Sequence, residues 1–158
     1  HLQKQQNGAS ETDKVTDISH MVALEFGLNK EQEHAYRIIV QHAQSPLPEQ
    51  LKMYIGGMGG TGKTQVLKAV MKYFDSKEES HHMIRVAPTG TASSLVKGSM
   101  YHFMFGINEF TGGEVSKKTL GEVKARLQGV KYIFFDKVSM LSCSDLYKIS
   151  ARLAMCTN

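Results

Sequence analysis

The stretch GMGGTGKT, residues 57–64, decides the fold. It matches the pattern G-x-x-x-x-G-K-[ST] completely, and it stands between a predicted strand, LKMYI at 51–55, and a predicted helix that begins at Thr64. Glycines let the backbone curl so that several N–H groups point at phosphate oxygens, and the following helix adds its positive N-terminal end. The stretch therefore predicts a phosphate-binding loop. The alternative is a chance glycine-rich turn that contains a lysine.

The loop and a downstream aspartate together predict a nucleotide site with a metal ion. Lys63 can reach the β- and γ-phosphates as a mobile point charge, and the Thr64 hydroxyl can ligate Mg²⁺. The apolar strand YIFFD ends in Asp136, which offers a second contact to the metal. The alternative for Asp136 alone is a turn residue after a strand. Lys63 and Asp136 are the predicted catalytic residues, and the predicted nucleotide-binding loop consists of Gly57, Met58, Gly59, Gly60, Thr61, Gly62, Lys63 and Thr64.

Around this loop, predicted strands alternate with predicted helices. Further strands are predicted at 83–87 and 130–135. Helices are predicted over residues 28–43, from Thr64 through an apolar stripe, from TASSLV at 91–96, and over 117–127 and 142–154. In the first helix Asn29 and Gln32 form a capping-box pattern, and in the last Leu146, Ile149 and Leu153 are predicted to face inward. The alternation predicts an α/β fold with a mostly parallel sheet.

Composition sets only broad limits on function. The 158 residues fit one domain or part of a larger one, and 41% hydrophobic residues can supply a core. A net charge of +4 leans mildly towards anionic partners, although an ordinary solvated basic surface explains it equally well. The two cysteines are too few for a disulfide scaffold, which favours a reducing intracellular compartment. No apolar run is long enough to cross a bilayer, so no membrane partner is predicted.

The beginning of the chain is polar. Residues 1–20 lack periodicity and are interpreted as a linker or flexible arm, and a domain boundary is placed after residue 24. No signal segment is predicted, and the first residue is His1 rather than Met, so we expect an excerpt from a longer protein. A glycine pair at 112–113 marks a flexible loop over 109–118.

Five motifs occur in an order that carries a family resemblance: LNKEQ at 28–32, GMGGTGKT, APTGTA at 87–92, GSMYHFMFGI at 98–107 and FFDKVSML at 134–141. The chain resembles the PIF (petite integration frequency) family of DNA helicases, including the helicase domains of Helitron transposons. The resemblance implies an incomplete P-loop NTPase (RecA-like) sheet with flanking helices. Residues 25–158 would form the N-terminal part of the first motor domain, 1A.

The resemblance also implies a function. It implies an ATP-dependent 5′-to-3′ DNA helicase that uses ATP and Mg²⁺, acts on single-stranded DNA or DNA junctions, and works with the remainder of the helicase. Roles in DNA repair, recombination and telomere maintenance, in the nucleus or also the mitochondrion, belong to the same expectation. By resemblance, Gln32 reads the adenine, and the predicted DNA-binding residues are Pro88, Thr89, Gly90 and His102.

Each of these assignments has a structural alternative. Gln32 is also explained as the capping-box partner of Asn29, and the two roles are compatible. The segment 88–90 is also explained as a strand-ending turn, and His102 as a packed core histidine. Three aromatic residues nearby, Phe103, Phe105 and Phe110, are interpreted as a hydrophobic core cluster, with base stacking as the other reading.

The chain departs from the family pattern at two residues. The family has glutamate where this chain has Lys137, and a protonated lysine does not accept a proton as a general base must. We therefore expect nucleotide binding with very poor hydrolysis. Met100 stands where relatives usually carry threonine or a small residue, which weakens the DNA-contact assignment beside it.

The length of the chain gives a third expectation. In the resembled fold a further strand, later in sequence, lies between the phosphate-loop strand and the Asp136 strand, and a second RecA-like domain follows. We expect the isolated 158 residues to be marginally stable in solution, because unpaired strand edges are costly. The alternative functions are a degenerate transposon-derived nucleotide-binding module without helicase activity, and a P-loop enzyme of another class such as a small-molecule kinase. APTGTA argues against the kinase.

Overall fold

The structure is a computed structural model that describes residues 11–95, 97–107 and 115–157, with side chains described from residue 18 to residue 156 within those ranges. The chain divides after Ser80 into two units. The first unit is helical and carries the phosphate loop. The second unit carries the sheet.

Three helices build the described part of the first unit: α1 (Glu11–Glu25), α2 (Lys30–Gln44) and α3 (Lys63–Ser76). The predicted capping box begins α2, because the Asn29 side chain accepts from the Gln32 backbone while the Gln32 side chain accepts from the Asn29 backbone. The helix α3 buries most of the predicted apolar stripe, but Met71 of that stripe is only half-buried. The buried residues of α3 are Val66, Leu67, Ala69, Val70, Tyr73 and Phe74.

The second unit contains the strands β1 (Met83–Ala87), β2 (Ser99–Met100) and β3 (Tyr132–Phe135). Its helices are α4 (Gly90–Leu95), α5 (Tyr101–Phe105), α6 (Lys117–Leu127) and α7 (Cys143–Thr157). The strand order is β2-β1-β3, and both pairings are parallel. The expectation of an incomplete RecA-like parallel sheet with flanking helices is confirmed.

The register of the sheet sets which residues share an edge. Ala87 pairs with Met100, and Val86 pairs with Phe135. All three strands run in one direction, so the segments that follow them leave from one edge of the sheet. This is the edge at which open α/β sheets bind their ligands.

One cluster of apolar side chains forms the core of the second unit. Phe105 is fully buried and stacks on Phe135, with 6.0 Å between ring centroids. The other buried members of the cluster are Val86, Tyr101, Met104, Ile107 and Ile149. The strand β1 lies at the centre of the sheet, which explains why Val86 is fully buried whereas every residue of β3 is only half-buried.

Two predicted segments differ from the structure. The expectation of a linker or flexible arm over residues 1–20 is wrong from Glu11 onward, because Glu11–Glu25 form the helix α1. Its C-terminal half is held by burial of Val22 and Ala23, and the Tyr36 hydroxyl donates to the Ser19 carbonyl at 3.2 Å. The predicted strand at 51–55 is also wrong, since these residues have no regular secondary structure. A strand needs a neighbour for its backbone groups, and none of β1, β2 and β3 pairs with this segment.

Smaller differences concern single side chains. Leu146, predicted to face inward, is 50% exposed, whereas Ile149 is buried and Leu153 is half-buried as predicted. Most of the predicted loop over 109–118 lies outside the described residues, but its end at Lys117 already belongs to α6. Cys143 and Cys156 are both free thiols. Within the described ranges, no helix has the length and apolarity needed to cross a membrane.

Candidate functional site

The phosphate loop depends on three glycines in left-handed backbone conformations. Gly57 has φ +149°, Gly60 has φ +79° and Gly62 has φ +84°. Residues with side chains rarely adopt these angles, so only glycine lets the chain curl here without strain. Space is limiting as well, because a Cβ atom on Gly57 would lie 2.7 Å from the Thr61 hydroxyl oxygen. The loop is a cradle that fits a ligand approaching the backbone, as a phosphate group does.

Lys63 is the first residue of α3, and its side chain folds back over the loop. The Nζ atom donates to the carbonyl of Gly57 at 2.7 Å and to that of Met58 at 2.8 Å. The Thr61 hydroxyl donates to the same Met58 carbonyl at 2.8 Å. The lysine therefore holds the two ends of the loop together, and its ammonium group stands where it can exchange carbonyl oxygens for phosphate oxygens.

The rest of the loop is open to solvent. Met58 is 80% exposed, and Gly59, Gly60 and Thr64 are exposed too. Thr64 lies in the first turn of α3, at the end where the helix dipole is positive and where N–H groups can donate to a bound anion. Backbone donors, an ammonium and a hydroxyl are the chemical set that holds a nucleotide phosphate with Mg²⁺, so the residues fit ATP-Mg²⁺.

Gln32 contacts the loop directly. Its side-chain oxygen accepts from the Asn29 backbone N–H at 2.9 Å, and its Nε2 atom donates to the carbonyls of Thr61 and Gly62, both at 3.4 Å. A Cβ atom on Gly62 would overlap this Nε2 atom, so a larger residue there would displace the Gln32 carboxamide from the loop. The sequence predicted the capping contact from its spacing, but it gave no signal for the contact to the loop 29 residues away.

In the second unit, Asp136 directly follows β3. Its backbone N–H donates to the Val86 carbonyl at 2.9 Å, so the sheet ladder continues to the aspartate and fixes its backbone. The residue is half-buried. A metal site that joins Thr64 of one unit to Asp136 of the other stays a prediction.

Lys137 is exposed and has a left-handed backbone, with φ 57° and ψ 38°. A residue with a Cβ atom is uncommon in this region, which costs about 1 kcal/mol or more. The Lys137 carbonyl accepts from the Met140 N–H at 2.9 Å and so closes a short 3-10 turn over Val138–Met140. The sequence singled out this residue for its charge and missed its conformation.

The predicted DNA-binding segment 88–90 connects β1 to α4. The Thr89 hydroxyl accepts from the Ala92 N–H at 3.2 Å, and the Gly90 carbonyl accepts from the Ser93 and Ser94 hydroxyls at 2.9 Å each. The segment is therefore a strand-ending turn that caps α4, as the structural alternative holds. Thr89 and Gly90 are also exposed, and Pro88 is half-buried. The turn leaves Thr89 and Gly90 accessible to a ligand.

His102 lies in α5, which follows β2 directly. Its ring contacts the ring of the buried Tyr101 in a tilted arrangement, with 3.9 Å between centroids and 30° between planes. Met100 is 42% exposed, and its sulfur lies 4.0 Å from the position of a Cβ atom built on Gly90. The structure thus brings the turn at 88–90 and the start of α5 together at one edge of the sheet, where Asp136 also follows its strand.

The phenylalanines near His102 do not form a single cluster. Phe105 is fully buried in the core, as predicted, but Phe103 is 58% exposed, and Phe110 lies outside the described residues. The Arg126 guanidinium carbon lies 4.2 Å from the Phe103 ring centroid, and the same group donates to the Phe103 carbonyl at 2.7 Å. This cation–π contact ties α5 to α6. Sequence reasoning missed it, because the two residues are 23 positions apart.

The family model for PIF1-like helicases matches residues 27–154 of the chain. The matched range contains the phosphate loop, Asp136 and all the candidate DNA-binding residues.

Curated relatives agree with this match. The chain is 33% identical over 104 residues to "ATP-dependent DNA helicase PIF3" of Trypanosoma brucei brucei, covering 65% of this chain and 12% of that protein. It is 31% identical over 138 residues to "ATP-dependent DNA helicase PIF1" of the same organism, covering 85% of this chain and 13% of that protein. A bacterial relative, "ATP-dependent DNA helicase Pif1" of Bdellovibrio bacteriovorus, is 29% identical over 93 residues, covering 56% of this chain and 20% of that protein.

The chain thus spans between about an eighth and a fifth of the length of these helicases. No solved structure matches it. The family match over most of the chain agrees with the order of the motifs, the glycine-dependent loop and the parallel sheet. The chain therefore belongs to the PIF1-like helicase family.

Proposed function

We propose that this chain is part of an ATP-dependent DNA helicase and that its phosphate loop binds ATP with Mg²⁺. The observation that carries the proposal is the position of Lys63. Its ammonium group lies across a curled, solvent-exposed loop at the N-terminus of α3, within 2.8 Å of two loop carbonyls. The family and the names of the relatives support ATP as the nucleotide and DNA as the polymer.

Each residue has a proposed role at the nucleotide. The loop N–H groups and Lys63 hold the β- and γ-phosphates, and the Thr64 hydroxyl and Asp136 carboxylate hold Mg²⁺. When bound, Mg²⁺ neutralises charge on the phosphate oxygens. Gln32 reads the adenine with its carboxamide, which has both a donor and an acceptor to offer.

Single-stranded DNA is proposed to lie along the carboxyl edge of the sheet. Pro88, Thr89 and Gly90 would contact its backbone, and His102 would contact it from the adjacent strand end. The proposal includes 5′-to-3′ movement, binding to DNA junctions, and cooperation with the remaining sheet strands and a second RecA-like domain. It also includes a nuclear location, with the mitochondrion as a second compartment, and work in DNA repair, recombination and telomere maintenance.

Hydrolysis is proposed to be poor. Lys137 follows the metal-binding aspartate where the family has glutamate, and a protonated amine cannot take a proton from the attacking water. The same residue favours a second candidate function: a degenerate, transposon-derived module that binds nucleotide and has no helicase activity.

The test uses the full-length protein that contains this chain. Binding of Mg-ATP is measured by isothermal titration calorimetry, and ATP turnover is measured with and without single-stranded DNA. ATP binding with slow, DNA-stimulated turnover supports the helicase. ATP binding with no turnover and no unwinding selects the module, and absence of ATP binding overturns both.

A further inference from the structure

Both ends of the Gln32 carboxamide have partners in the protein. The oxygen accepts from Asn29, at the start of α2, and the nitrogen donates to the carbonyls of Thr61 and Gly62, in the phosphate loop. One side chain therefore joins a helix N-terminus to the loop. Gln32 is half-buried, and Gly62 leaves room for the Nε2 atom to approach the backbone closely.

These contacts fix the direction of two loop peptides. In a trans peptide the carbonyl and the next N–H point to opposite sides. Holding the Thr61 carbonyl towards Gln32 therefore turns the Gly62 N–H away from Gln32, and holding the Gly62 carbonyl does the same for the Lys63 N–H. The Gly62 carbonyl also accepts from the Gln65 N–H at 2.9 Å, within the first turn of α3.

The two oriented N–H groups belong to the part of the loop that would hold phosphate. Glycine-rich backbone alone leaves their direction poorly determined, because glycine has the widest choice of backbone angles. An external hydrogen-bond donor on the carbonyl side restricts that choice before any ligand arrives. Preorganisation of this kind raises affinity by lowering the entropy lost on binding.

We propose that Gln32 is a positioning residue for the phosphate loop, in addition to any contact it makes with the base. This proposal rests on the proposed binding of ATP at the loop. A residue that reads the base affects the binding of ligands that contain adenine. A positioning residue affects the binding of any polyphosphate, with or without adenine. The carboxamide has a second hydrogen on nitrogen and a second lone pair on oxygen, so positioning and base reading are compatible.

The experiment compares two ligands on the full-length protein by isothermal titration calorimetry. The ligands are Mg-ATP and Mg-tripolyphosphate, which carries the same chain of three phosphates without base or sugar. The variant Gln32→Ala removes both the capping contact and the loop contact. The matched control Asn29→Ala removes the Asn29 side chain from the same capping box but leaves the Gln32 carboxamide in place. Gln32→Met keeps the length of the side chain and serves if Gln32→Ala does not fold.

The expected result is a similar loss of affinity for both ligands, about three- to tenfold, in the Gln32 variant, as the loss of a hydrogen-bonded contact predicts. Asn29→Ala should leave both affinities unchanged. Weaker binding of ATP with unchanged binding of tripolyphosphate would overturn the proposal and leave Gln32 as a base reader only. Equal losses in the two variants would also overturn it, since the capping box would then explain the effect. A wild-type protein that binds neither ligand would instead refute the proposed function.

Discussion

The side-chain nitrogen of Lys63 lies 2.7 Å from the carbonyl oxygen of Gly57, six residues earlier in the chain. Together with the bond to Met58, this contact closes the glycine-rich loop with the same group that would hold phosphate. Binding of a nucleotide would replace neutral carbonyl acceptors with negatively charged phosphate oxygens, so the ammonium group would gain the attraction of an opposite charge.

The first prediction concerns this lysine. Lys63→Ala should weaken binding of Mg-ATP by at least about tenfold, because a charge-assisted contact is lost. It should also speed amide hydrogen exchange over residues 57–62, because the loop loses the bonds that close it. Lys68→Ala, an exposed lysine one turn further along α3, is the control and should change neither quantity. Unchanged exchange in Lys63→Ala would show that the lysine does not hold the loop closed.

The second prediction concerns Lys137, the residue after the proposed metal ligand Asp136. Lys137→Glu should raise ATP turnover by at least about tenfold, because a general base typically contributes about 10²–10⁴-fold. Glutamate and lysine have the same steric cost in the left-handed backbone conformation at this position, so the free energy of unfolding should change little. Lys131→Glu makes the same charge change at an exposed site before β3 and should leave turnover unchanged. Turnover at the family's usual rate with Lys137 in place would refute the hypothesis of poor hydrolysis.

A third prediction concerns two glycines with opposite surroundings. A Cβ atom on Gly98 would collide with the Arg85 carbonyl of β1, whereas Gly121 has nothing within 4 Å of that position. Gly98→Ala should lower the free energy of opening at β1 amides by about 2–3 kcal/mol, since backbone must move. Gly121→Ala, in the interior of α6, should raise the free energy of opening at α6 amides by about 0.5–1 kcal/mol, because alanine favours a helix more than glycine does. Native-state hydrogen exchange measures both, and a tolerated alanine at position 98 would contradict the close approach of β1 and β2.

The fourth prediction concerns the start of α7. The Ser142 hydroxyl donates to the Asp145 carboxylate at 2.8 Å, and this hydrogen bond is the main cause that lowers the pKa of Asp145 below its ordinary value of 3.8. A carboxyl group with a lowered pKa stabilises the fold at neutral pH and loses that effect as the pH falls through the lowered pKa. Ser142→Ala should raise the pKa of Asp145, and Ser144→Ala should not. An NMR titration of the Asp145 carboxyl carbon measures this pKa in each variant. An unchanged pKa in Ser142→Ala would show that the Ser142 hydrogen bond is not its main cause.

The parts of the fold that follow from short-range signals were predictable. The capping pair of Asn29 and Gln32 located α2, and the apolar stripe after Thr64 located α3. The helix α1 was not predictable from short-range signals. Its described apolar residues include buried Val22 but also exposed Met21 and Leu24, so they form no clear apolar stripe on one helix face. The prediction of a strand at 51–55 was wrong because a suitable local sequence does not by itself provide a neighbouring strand to pair with.

In the candidate site, too, the short-range contacts were predictable and the long-range contacts were not. The spacing of the glycines and Lys63 specified the loop, since its hydrogen bonds close within a few residues. The contacts of Gln32 with Thr61 and of Arg126 with Phe103 join residues 29 and 23 positions apart. Contacts at that range depend on how whole helices pack, which periodicity within one segment does not encode.

The hydrogen bond from Asp136 to Val86 has a mechanical consequence. The strand β1 that accepts this bond enters the turn at Pro88 two residues later. A shift of Asp136 that keeps this hydrogen bond must therefore be accommodated by β1 or by the turn that follows it. One backbone hydrogen bond and two residues of β1 therefore separate the proposed nucleotide contact at Asp136 from the proposed DNA contact at Pro88, so a movement at one can pass directly to the other.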